Sequence, residues 1–422
     1  MRDYLKYALI RLLVFPIGYL PLRWIRALGN VFGLLAFHLL HQYRKKTLSN
    51  LALAQNLHLS PAELIQIAKS SFQNLVINCL EYAKWDCVKS VQGIIECENP
   101  EVAQALHDSG QGILFFCGHQ SNWEALFLDG TSRMKGMAIG RPIRNRYLYQ
   151  WIVSIREKFG GTLIEPRNAV RLGCMALRKG TFLGIVGDQG KPDSPYCFPF
   201  FGRRAWTSSA PAFLAYRTRS PIIFAETRRV KEGYRIRYSD PIWPDTSQSL
   251  ETEMRSLMDR ALTLLEQSIR QNPGEWLWQH NRWKQPTPHN ARREFGYDCL
   301  AIILPPDPEP YLPALSILQE IYHSHFVILL VPKSWQNRPL MEASEIFYYE
   351  TMEETLRLDY RSKFVFNFTN YAPIRSHYLN LSALHVFDVE DLKRRAPGQT
   401  NFTEIVKRSV CKEGTLWRND AR

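Results

Sequence analysis

The chain has 422 residues, which is too long for one ordinary domain of roughly 150 residues and predicts two or three. Hydrophobic residues make up 45% of it, which excludes an intrinsically disordered protein and allows a sizeable core. The formal net charge is +13, but residues 296–422 hold 14 basic and 16 acidic residues, whereas residues 1–295 hold 39 and 24. The positive excess therefore lies wholly in the first 295 residues and indicates an anionic partner there.

Eight cysteines are scattered along the chain, and the sequence contains no C-x-x-C pair. A zinc site is therefore not predicted, and a chain with this much apolar content does not need a disulfide framework. We expect reduced thiols facing a cytoplasm.

Two uncharged apolar runs, 12–22 and 27–40, lie near the amino terminus and have basic residues on their flanks. Each run is well short of the ~20 residues that a simple transmembrane helix needs, and prolines interrupt the first. A pair of buried core helices is one interpretation. We favour residues 1–46 as an interfacial or tilted membrane anchor whose basic flanks face the cytoplasm.

The next elements alternate between helices and short apolar strands. Ser60, Pro61 and Glu63 predict a helix start, and this helix is expected to run to about residue 85. Further helical periodicity occurs at 147–159, 169–178 and 251–271. Buried strands are predicted at 112–117, 181–186 and 221–225. This alternation is typical of an α/β layer architecture.

A polar segment with two prolines, 284–293, has the composition of a linker. After it, a helix is predicted at 310–322 and strands at 297–304, 326–331, 345–349 and 364–368. We therefore expect one domain at 47–295 and a second, small α/β domain of unknown role at 296–422.

The strongest candidate site is the segment GHQSNWE, residues 118–124, directly after the predicted strand 112–117. It thus lies at the carboxyl end of a strand, where open α/β sheets bind ligands. Ser121 and Glu124 have the spacing of a capping box, which predicts a helix that begins at Ser121. His119 then precedes the helix, and Glu124 in the first turn can reach back to the imidazole.

This pair suits the activation of an alcohol. An imidazole titrates near neutral pH and can take the proton of a hydroxyl group. A carboxylate on the far ring nitrogen fixes the tautomer and stabilises the imidazolium. The alternative is that Glu124 only caps a helix and that His119 is a buried polar residue.

The segment GHQSNWE resembles the first signature block of the bacterial lipid A biosynthesis acyltransferases, within the wider glycerolipid acyltransferase superfamily. Four further segments are similar to blocks of that family and follow in the same order. They are an Arg-Pro-x-x-Asn segment at 141–145, Asp-Gln at 188–189, Phe-Phe-Gly at 200–202 followed by Ala-Pro-Ala at 210–212, and a Trp-rich block at 275–284. The resemblance covers residues 1–295 and does not extend to 296–422.

The resemblance implies a glycerolipid-acyltransferase-like α/β layered domain with an N-terminal membrane-associated helix at the cytoplasmic face of the cell inner membrane. It implies an acyl-carrier-protein thioester as donor and an anionic glycolipid, a lipid A precursor, as the acceptor whose hydroxyl is acylated in lipopolysaccharide biosynthesis. His119 is implied as general base and Glu124 as its partner. We expect no cofactor, because the sequence has no Gly-rich phosphate loop, nucleophile elbow or metal-ligand cluster.

Other positions in these blocks are candidates for substrate binding: Arg141, Arg144, Asn145, Asp188 and Gln189. Arg141 fits an acceptor phosphate or a developing oxyanion, with a structural arginine as the alternative. Asp188 either orients a substrate or caps a turn. The tryptophans of the closing block either line an acyl groove or pack in the core or at the membrane interface. These are Trp276, Trp278 and Trp283.

Other functions remain open. The same blocks would support acylation of another glycolipid or of a phospholipid, and the segment 190–194 is more basic than the family pattern. A catalytically silent membrane-associated scaffold is a second alternative, against which the intact His119 and Glu124 argue. A nucleic-acid-binding protein would explain the charge, but the sequence contains no recognised binding motif and the apolar amino terminus does not fit.

Overall fold

The computed structural model describes residues 1–286, 290–338 and 340–412. Part of the predicted linker 284–293 therefore lies outside the described residues. The chain forms two compact units. The first contains residues 1–39 and 61–278, and the second contains residues 40–60 together with residues from 279 onward.

The first unit is built on short strands. They are β1 (Ile95–Cys97), β2 (Leu114–Cys117), β3 (Gly136–Ile139), β4 (Thr162–Ile164), β5 (Phe182–Val186), β6 (Cys197–Phe200), β7 (Arg203–Trp206), β8 (Ile222–Val230) and β9 (Gly233–Tyr238). Seven of them form one sheet in the order β1-β9-β8-β2-β5-β3-β4, with β8 and β9 antiparallel and the other pairs parallel. Strands β6 and β7 form a separate antiparallel pair.

The predicted strands at 112–117, 181–186 and 221–225 are confirmed as β2, β5 and β8, which are neighbours in the sheet. Every residue of β2 is buried, as expected for a parallel strand covered on both faces. The carboxyl ends of β2 and β5 therefore meet at one edge of the sheet.

The helices of this unit are α1 (Arg2–Val14), α2 (Leu22–Leu39), α4 (Pro61–Cys87), α5 (Glu101–Asp108), α6 (Trp123–Arg133), α7 (Arg146–Arg156), α8 (Ala169–Arg178), α9 (Ala210–Thr218) and α10 (Leu250–Gln271); helix α3 (His41–Leu53) belongs to the second unit. The helix start predicted from the residues around Ser60 is confirmed by α4. The helical segments predicted at 147–159, 169–178 and 251–271 are confirmed as α7, α8 and α10.

Helix α2 packs closely against α4 because two glycines face that helix. A Cβ added to Gly29 would lie 2.5 Å from Cγ1 of Ile77, and one added to Gly33 would lie 2.4 Å from Cα of Gln73. The buried residues of α2 recur every three or four positions, as one helix face requires. The opposite face of α2 points away from the core.

That opposite face and much of α1 are apolar and exposed. We call this surface the apolar N-terminal face, and it consists of Leu5, Leu9, Leu12 and Leu13 on α1 and Trp24, Leu28, Val31, Phe32, Leu34 and Leu35 on α2. In the part of the chain that the structure describes, no helix has both the length and the apolar content needed to cross a membrane.

The second unit is a parallel α/β layer. Its strands are β10 (Cys299–Ile303), β11 (Phe326–Pro332), β12 (Glu345–Tyr349), β13 (Phe364–Asn367) and β14 (His385–Asp388), and its further helices are α11 (Leu312–Ile321), α12 (Pro373–Asn380), α13 (Val389–Arg395) and α14 (Phe402–Val410). The sheet order is β12-β11-β10-β13-β14, all parallel. The α/β organisation and the strands expected after residue 296 are confirmed.

Helix α3 packs within this second unit. Nζ of Lys45 donates to the carbonyl of Ala383 at 2.8 Å, and Oγ of Ser49 donates to the carbonyl of Arg361 at 2.6 Å. The compact unit thus includes residues on both sides of the expected boundary at 295–296 and takes helix α3 from the amino-terminal part of the chain. Independent folding of 296–422 stays a prediction.

Candidate active site

His119 and Asp188 meet because they follow neighbouring parallel strands. Cys117 at the end of β2 pairs with Val186 at the end of β5, so the residues that come next share one sheet edge. Nδ1 of His119 lies 2.7 Å from Oδ1 of Asp188. Because an ionised carboxylate only accepts hydrogen bonds, Nδ1 of the neutral ring carries the proton and Nε2 is the basic nitrogen.

The carboxylate of Asp188 is held by further donors. Its Oδ2 accepts from the backbone N–H of His119 at 2.7 Å and from the indole N–H of Trp276 at 2.7 Å. Burial of this side chain opposes its ionisation, but the charge and hydrogen bonds of His119 hold the pKa of Asp188 well below its ordinary value. Asp188 is therefore the ionised partner that orients the imidazole.

The same contact sets the basicity of the imidazole. Burial alone would lower the pKa of His119, but the charge and hydrogen bond of Asp188 outweigh burial and raise it above its ordinary value. The charge of Glu124 adds to this rise, and that of Arg156 opposes it. His119 is thus a stronger base here than in water.

The expected contact of Glu124 with the imidazole is replaced by contacts with Arg156 and Tyr82. The carboxylate accepts from Nε of Arg156 at 2.7 Å, from its NH2 group at 2.5 Å and from the hydroxyl of Tyr82 at 2.6 Å. Burial opposes ionisation, but this two-pronged pair with Arg156 keeps the pKa of Glu124 below its ordinary value. Glu124 therefore acts on His119 through its charge rather than through a hydrogen bond, and its catalytic part stays a prediction.

The start of helix α6 is also shifted from the expectation. Asn122, not Ser121, caps the helix, and its side-chain oxygen accepts from the N–H of Glu124 at 3.2 Å. Ser121 has a left-handed backbone with φ of 50°, and its N–H donates to the carbonyl of Glu275 at 2.8 Å. The prediction of a capping box at 121–124 is therefore wrong, because Ser121 is hydrogen-bonded to Glu275, next to Trp276, and does not cap the helix.

A cavity of about 510 Å³ opens beside His119. The exposed residues Arg141 and Gln189 line it together with Glu124, Arg156 and Trp123. Much of the remaining wall is aliphatic or aromatic: Phe115, Leu126, Phe127, Ile139, Ile152, Leu163, Phe182 and Ile185. A few polar groups beside a long apolar wall suit a molecule with a reactive polar end and an apolar chain.

Two of the other candidates do not line this cavity. Arg144 is exposed. Asn145 caps helix α7, where its side-chain oxygen accepts from the N–H groups of Tyr147 at 3.0 Å and Leu148 at 3.2 Å. Its amide also donates to the backbone carbonyl of Asp3 at 2.9 Å, so Asn145 has a structural role that its place in the motif did not reveal.

The tryptophans of the closing block are packing residues. Trp276, Trp278 and Trp283 are buried, and none lines the cavity. The chain around Trp276 instead supports the segment that carries His119, because the N–H of Leu277 donates to the carbonyl of His119 at 3.0 Å. The core interpretation of this block is therefore confirmed.

The sequence did not predict Arg156 and Tyr82, the partners of Glu124. A lone arginine at the end of a helix and a tyrosine inside another carry no local signature, so the sequence offered no signal for either. Among the described residues, no group of three or more His, Cys, Asp or Glu side chains is arranged to hold a metal ion.

A histidine–aspartate pair beside an apolar cavity, at the carboxyl edge of an α/β sheet, is the arrangement of an enzyme that activates a polar group next to an apolar chain. The model of the family described as bacterial lipid A biosynthesis acyltransferase matches residues 1–285. The chain belongs to this family of acyltransferases. None of the curated proteins compared with the chain matches it.

Proposed function

We propose that the protein transfers a fatty acyl chain from an acyl-carrier-protein thioester to a hydroxyl group of a lipid A precursor, with His119 as general base. The observation that carries this proposal is the 2.7 Å contact between Nδ1 of His119 and Asp188 beside the apolar cavity. Membership of the family supports acyl transfer in lipid A biosynthesis. The donor, the hydroxyl acceptor and the mechanism are part of the proposal.

The reaction begins at Nε2 of His119, since Nδ1 is bound to Asp188. Nε2 takes the proton of the acceptor hydroxyl as its oxygen attacks the thioester carbon. The C–S bond of the tetrahedral intermediate then breaks, and the leaving thiolate takes the proton back from the imidazolium. Asp188 stays ionised throughout and stabilises the imidazolium between the two steps.

The apolar wall of the cavity supports binding of the acyl chain beside this base. Phe115, Phe127 and Phe182 supply a dry aromatic surface, which a fatty acyl chain covers favourably. The thioester carbonyl then lies at the polar end, near His119. Arg141 also lines the cavity, and its guanidinium suits an acceptor phosphate or the developing oxyanion.

The edge of the sheet that carries the site is rich in exposed basic residues, which suits anionic substrates. Loops after β3, β4 and β5 contribute Arg141, Arg144, Arg167 and Lys191. An acidic carrier protein and a phosphorylated glycolipid are both attracted to such a surface. We assign the carrier protein as donor partner and the anionic glycolipid as acceptor on this ground and on the family pattern.

The apolar N-terminal face supports attachment to the cytoplasmic face of the inner membrane. Its exposed side chains lie on two successive helices, and neighbouring basic residues such as Arg23 suit anionic lipid headgroups. A helix that lies in the membrane interface fits this pattern. Such attachment would bring the site to an acceptor that is itself a membrane lipid.

The purified protein, an acyl-carrier-protein thioester and a lipid A precursor test the proposal together. We expect release of the carrier thiol in step with an acylated lipid detected by mass spectrometry, and formation of both at least about 100-fold slower with His119→Ala. Lipid extracts from cells with and without the protein should differ by the same acyl group. Absence of the acylated lipid from both experiments would overturn the proposal.

A further inference from the structure

A second buried carboxylate lies behind the active-site helix and takes no part in the proposed proton transfer. Glu81 on α4 is fully buried, and its Oε2 accepts from the amide of Asn122 at 2.7 Å and from the hydroxyl of Tyr234. Its Oε1 accepts from Nε of Arg26 at 3.2 Å. Three different segments of the first unit therefore meet at one carboxylate.

This carboxylate decides which way the amide of Asn122 points. A carboxylate only accepts hydrogen bonds, so Asn122 must turn its NH2 group toward Glu81. Its oxygen is then directed at the N–H of Glu124, the bond that caps helix α6. A glutamine at position 81 would offer one acceptor oxygen to three donors and would not impose this orientation.

Arg26 on α2 balances the buried charge of Glu81. Its guanidinium also donates to the carbonyls of Val230, of Lys231 at 3.0 Å and of Gly233 at 2.8 Å, around the turn between β8 and β9. A buried carboxylate without such a partner would be costly, because it loses its hydration. Arg26 and Tyr234 thus hold the carboxylate of Glu81 independently of its hydrogen bond with Asn122.

We propose that Glu81 and Asn122 are positioning residues for the acyl transfer, an inference that rests on the proposed function. Glu81 orients Asn122, and Asn122 fixes the first turn of α6. That turn places the ring of Trp123 4.7 Å from the ring of His119, centroid to centroid, and brings the carboxylate of Glu124 to Arg156. A shift of this turn moves one wall of the site, and about 1 Å of misplacement can cost about 100-fold in rate.

Moving the carboxylate from position 81 to position 122, and the amide in the opposite direction, tests the inference. Asn122→Asp keeps a capping oxygen, since aspartate caps helices as well as asparagine does, but it sets a second carboxylate against Glu81. We expect kcat to fall by about 10- to 100-fold, with little change in KM for the acyl-carrier-protein thioester. In the double variant Glu81→Gln/Asn122→Asp, the introduced amide donates to the introduced carboxylate. The hydrogen bond and the single negative charge return, and kcat should recover most of the loss.

Thr218→Val is the matched stability control. It removes a side-chain hydrogen bond of 2.7 Å to the carbonyl of Leu214, in the same unit and away from the described site. We expect it to lower the melting temperature and to leave kcat unchanged. A comparison of kcat with melting temperature for all variants then separates positioning from simple loss of stability.

The outcomes are distinct. An active wild-type enzyme with full kcat in Asn122→Asp, or with a loss of kcat that Glu81→Gln does not relieve, would overturn the inference and leave the proposed function intact. A wild-type protein that transfers no acyl chain would overturn the proposed function and this inference with it. Rescue of kcat in the double variant supports both.

Discussion

His119 donates to Asp188 twice, once from its backbone N–H and once from Nδ1, each at 2.7 Å. The main chain and the ring of the histidine are therefore fixed by one carboxylate. Rotation of the ring about its side-chain bonds would break one of these contacts while the other holds the backbone. The imidazole is thus already oriented, which lowers the cost of ordering it in the proposed proton transfer.

Loss of either member of this pair should slow acyl transfer. We expect His119→Ala to lower the rate by at least about 100-fold, since general base catalysis supplies ~10²–10⁴-fold, while binding of the acyl donor survives. Asp188→Asn should also lower kcat, because one amide oxygen cannot serve all the donors that Asp188 now accepts from. Initial rates and donor binding by titration measure both. A fully active His119→Ala enzyme would end the proposed mechanism.

The pH profile gives a second measure of the pair. The base must be neutral to take a proton, so kcat/KM should fall as pH drops through the pKa of His119. The carboxylate of Asp188 raises the pKa of His119. In Asp188→Asn that pKa is lower, so the acid limb of the kcat/KM profile should move to lower pH than in the wild type. A limb that stays in place, or that moves to higher pH, would contradict the role of Asp188.

Glu124→Gln tests whether the negative charge of Glu124 in the cavity wall is needed for acyl transfer. The glutamine keeps the backbone cap but leaves the guanidinium of Arg156 without its anionic partner, which typically costs ~3–5 kcal/mol in a buried pair. We expect a lower melting temperature and a slower rate, because the positive charge then opposes formation of the imidazolium at His119. Tyr82→Phe is the control: it removes the hydrogen bonds that the hydroxyl makes with Glu124 and Arg156, each worth about 1 kcal/mol, and it keeps both charges. A Glu124→Gln enzyme with wild-type rate would show that this charge is dispensable.

Gly184 on β5 offers a way to shorten the apolar cavity. It lines the cavity, and a Cβ added to it would meet only ordinary contacts, at 3.6 Å from Cβ of Ala138. We expect Gly184→Leu to shift the preferred acyl chain to shorter lengths, with Gly184→Ala intermediate. A competition assay with thioesters of graded chain length measures the shift. An unchanged preference in both variants would place the acyl chain elsewhere.

The apolar N-terminal face should bind membranes. Deletion of 1–46 should release much of the chain from membranes, but it also removes residues of α2 that are buried against α4. Phe32→Glu with Leu35→Glu alters two outward side chains, 48% and 51% exposed, and leaves the buried face intact. Because burial of each such side chain is worth ~1.5–3 kcal/mol, binding to vesicles with anionic lipids should fall at least about tenfold. Val102→Glu, on α5, is the matched control with unchanged binding. Equal sedimentation of the wild type, the double variant and Val102→Glu with these vesicles would contradict attachment through this face.

Lys363 gives a measurable test of the second unit. Its buried Nζ donates to Asp298 at 2.6 Å, to Asn281 at 2.6 Å and to Asn50 at 2.9 Å. Lys363→Met leaves Asp298 buried without its cation and should destabilise this unit by ~3–5 kcal/mol, as measured by chemical unfolding. Adding Asp298→Asn should recover part of that loss. Equal stability of all three proteins would show that the buried pair is not needed.

The same contacts sharpen the prediction that 296–422 folds alone as a soluble unit. That fragment omits Asn281 and Asn50, whose side-chain oxygens accept hydrogen bonds from Nζ of Lys363. We therefore expect its unfolding to be cooperative but to occur at a lower temperature than that of the second unit in the full chain. Thermal unfolding followed by circular dichroism checks this. Absence of a cooperative unfolding transition in this fragment would contradict a domain boundary at 295–296.

Local sequence determined several elements of this protein and the position of its proposed base. Short apolar runs bounded by turn residues predicted β2, β5 and β8, because a buried parallel strand is apolar on both faces. The place of His119 directly after such a run put it at the carboxyl edge of the sheet. The ordered signature blocks also point to acyl transfer without any knowledge of tertiary contacts.

Only the tertiary structure decided the partners of that base. Glu124 was favoured from the sequence because it lies five residues from His119, whereas Asp188 lies 69 residues away. Pairing of β2 with β5 brings Asp188 to the imidazole, and α7 brings Arg156 to Glu124. Pairing between strands depends on how the whole sheet is ordered, and a local pattern does not contain that order. The same reason explains the shifted cap at Asn122, since Ser121 is held by the distant Glu275 rather than by its own helix.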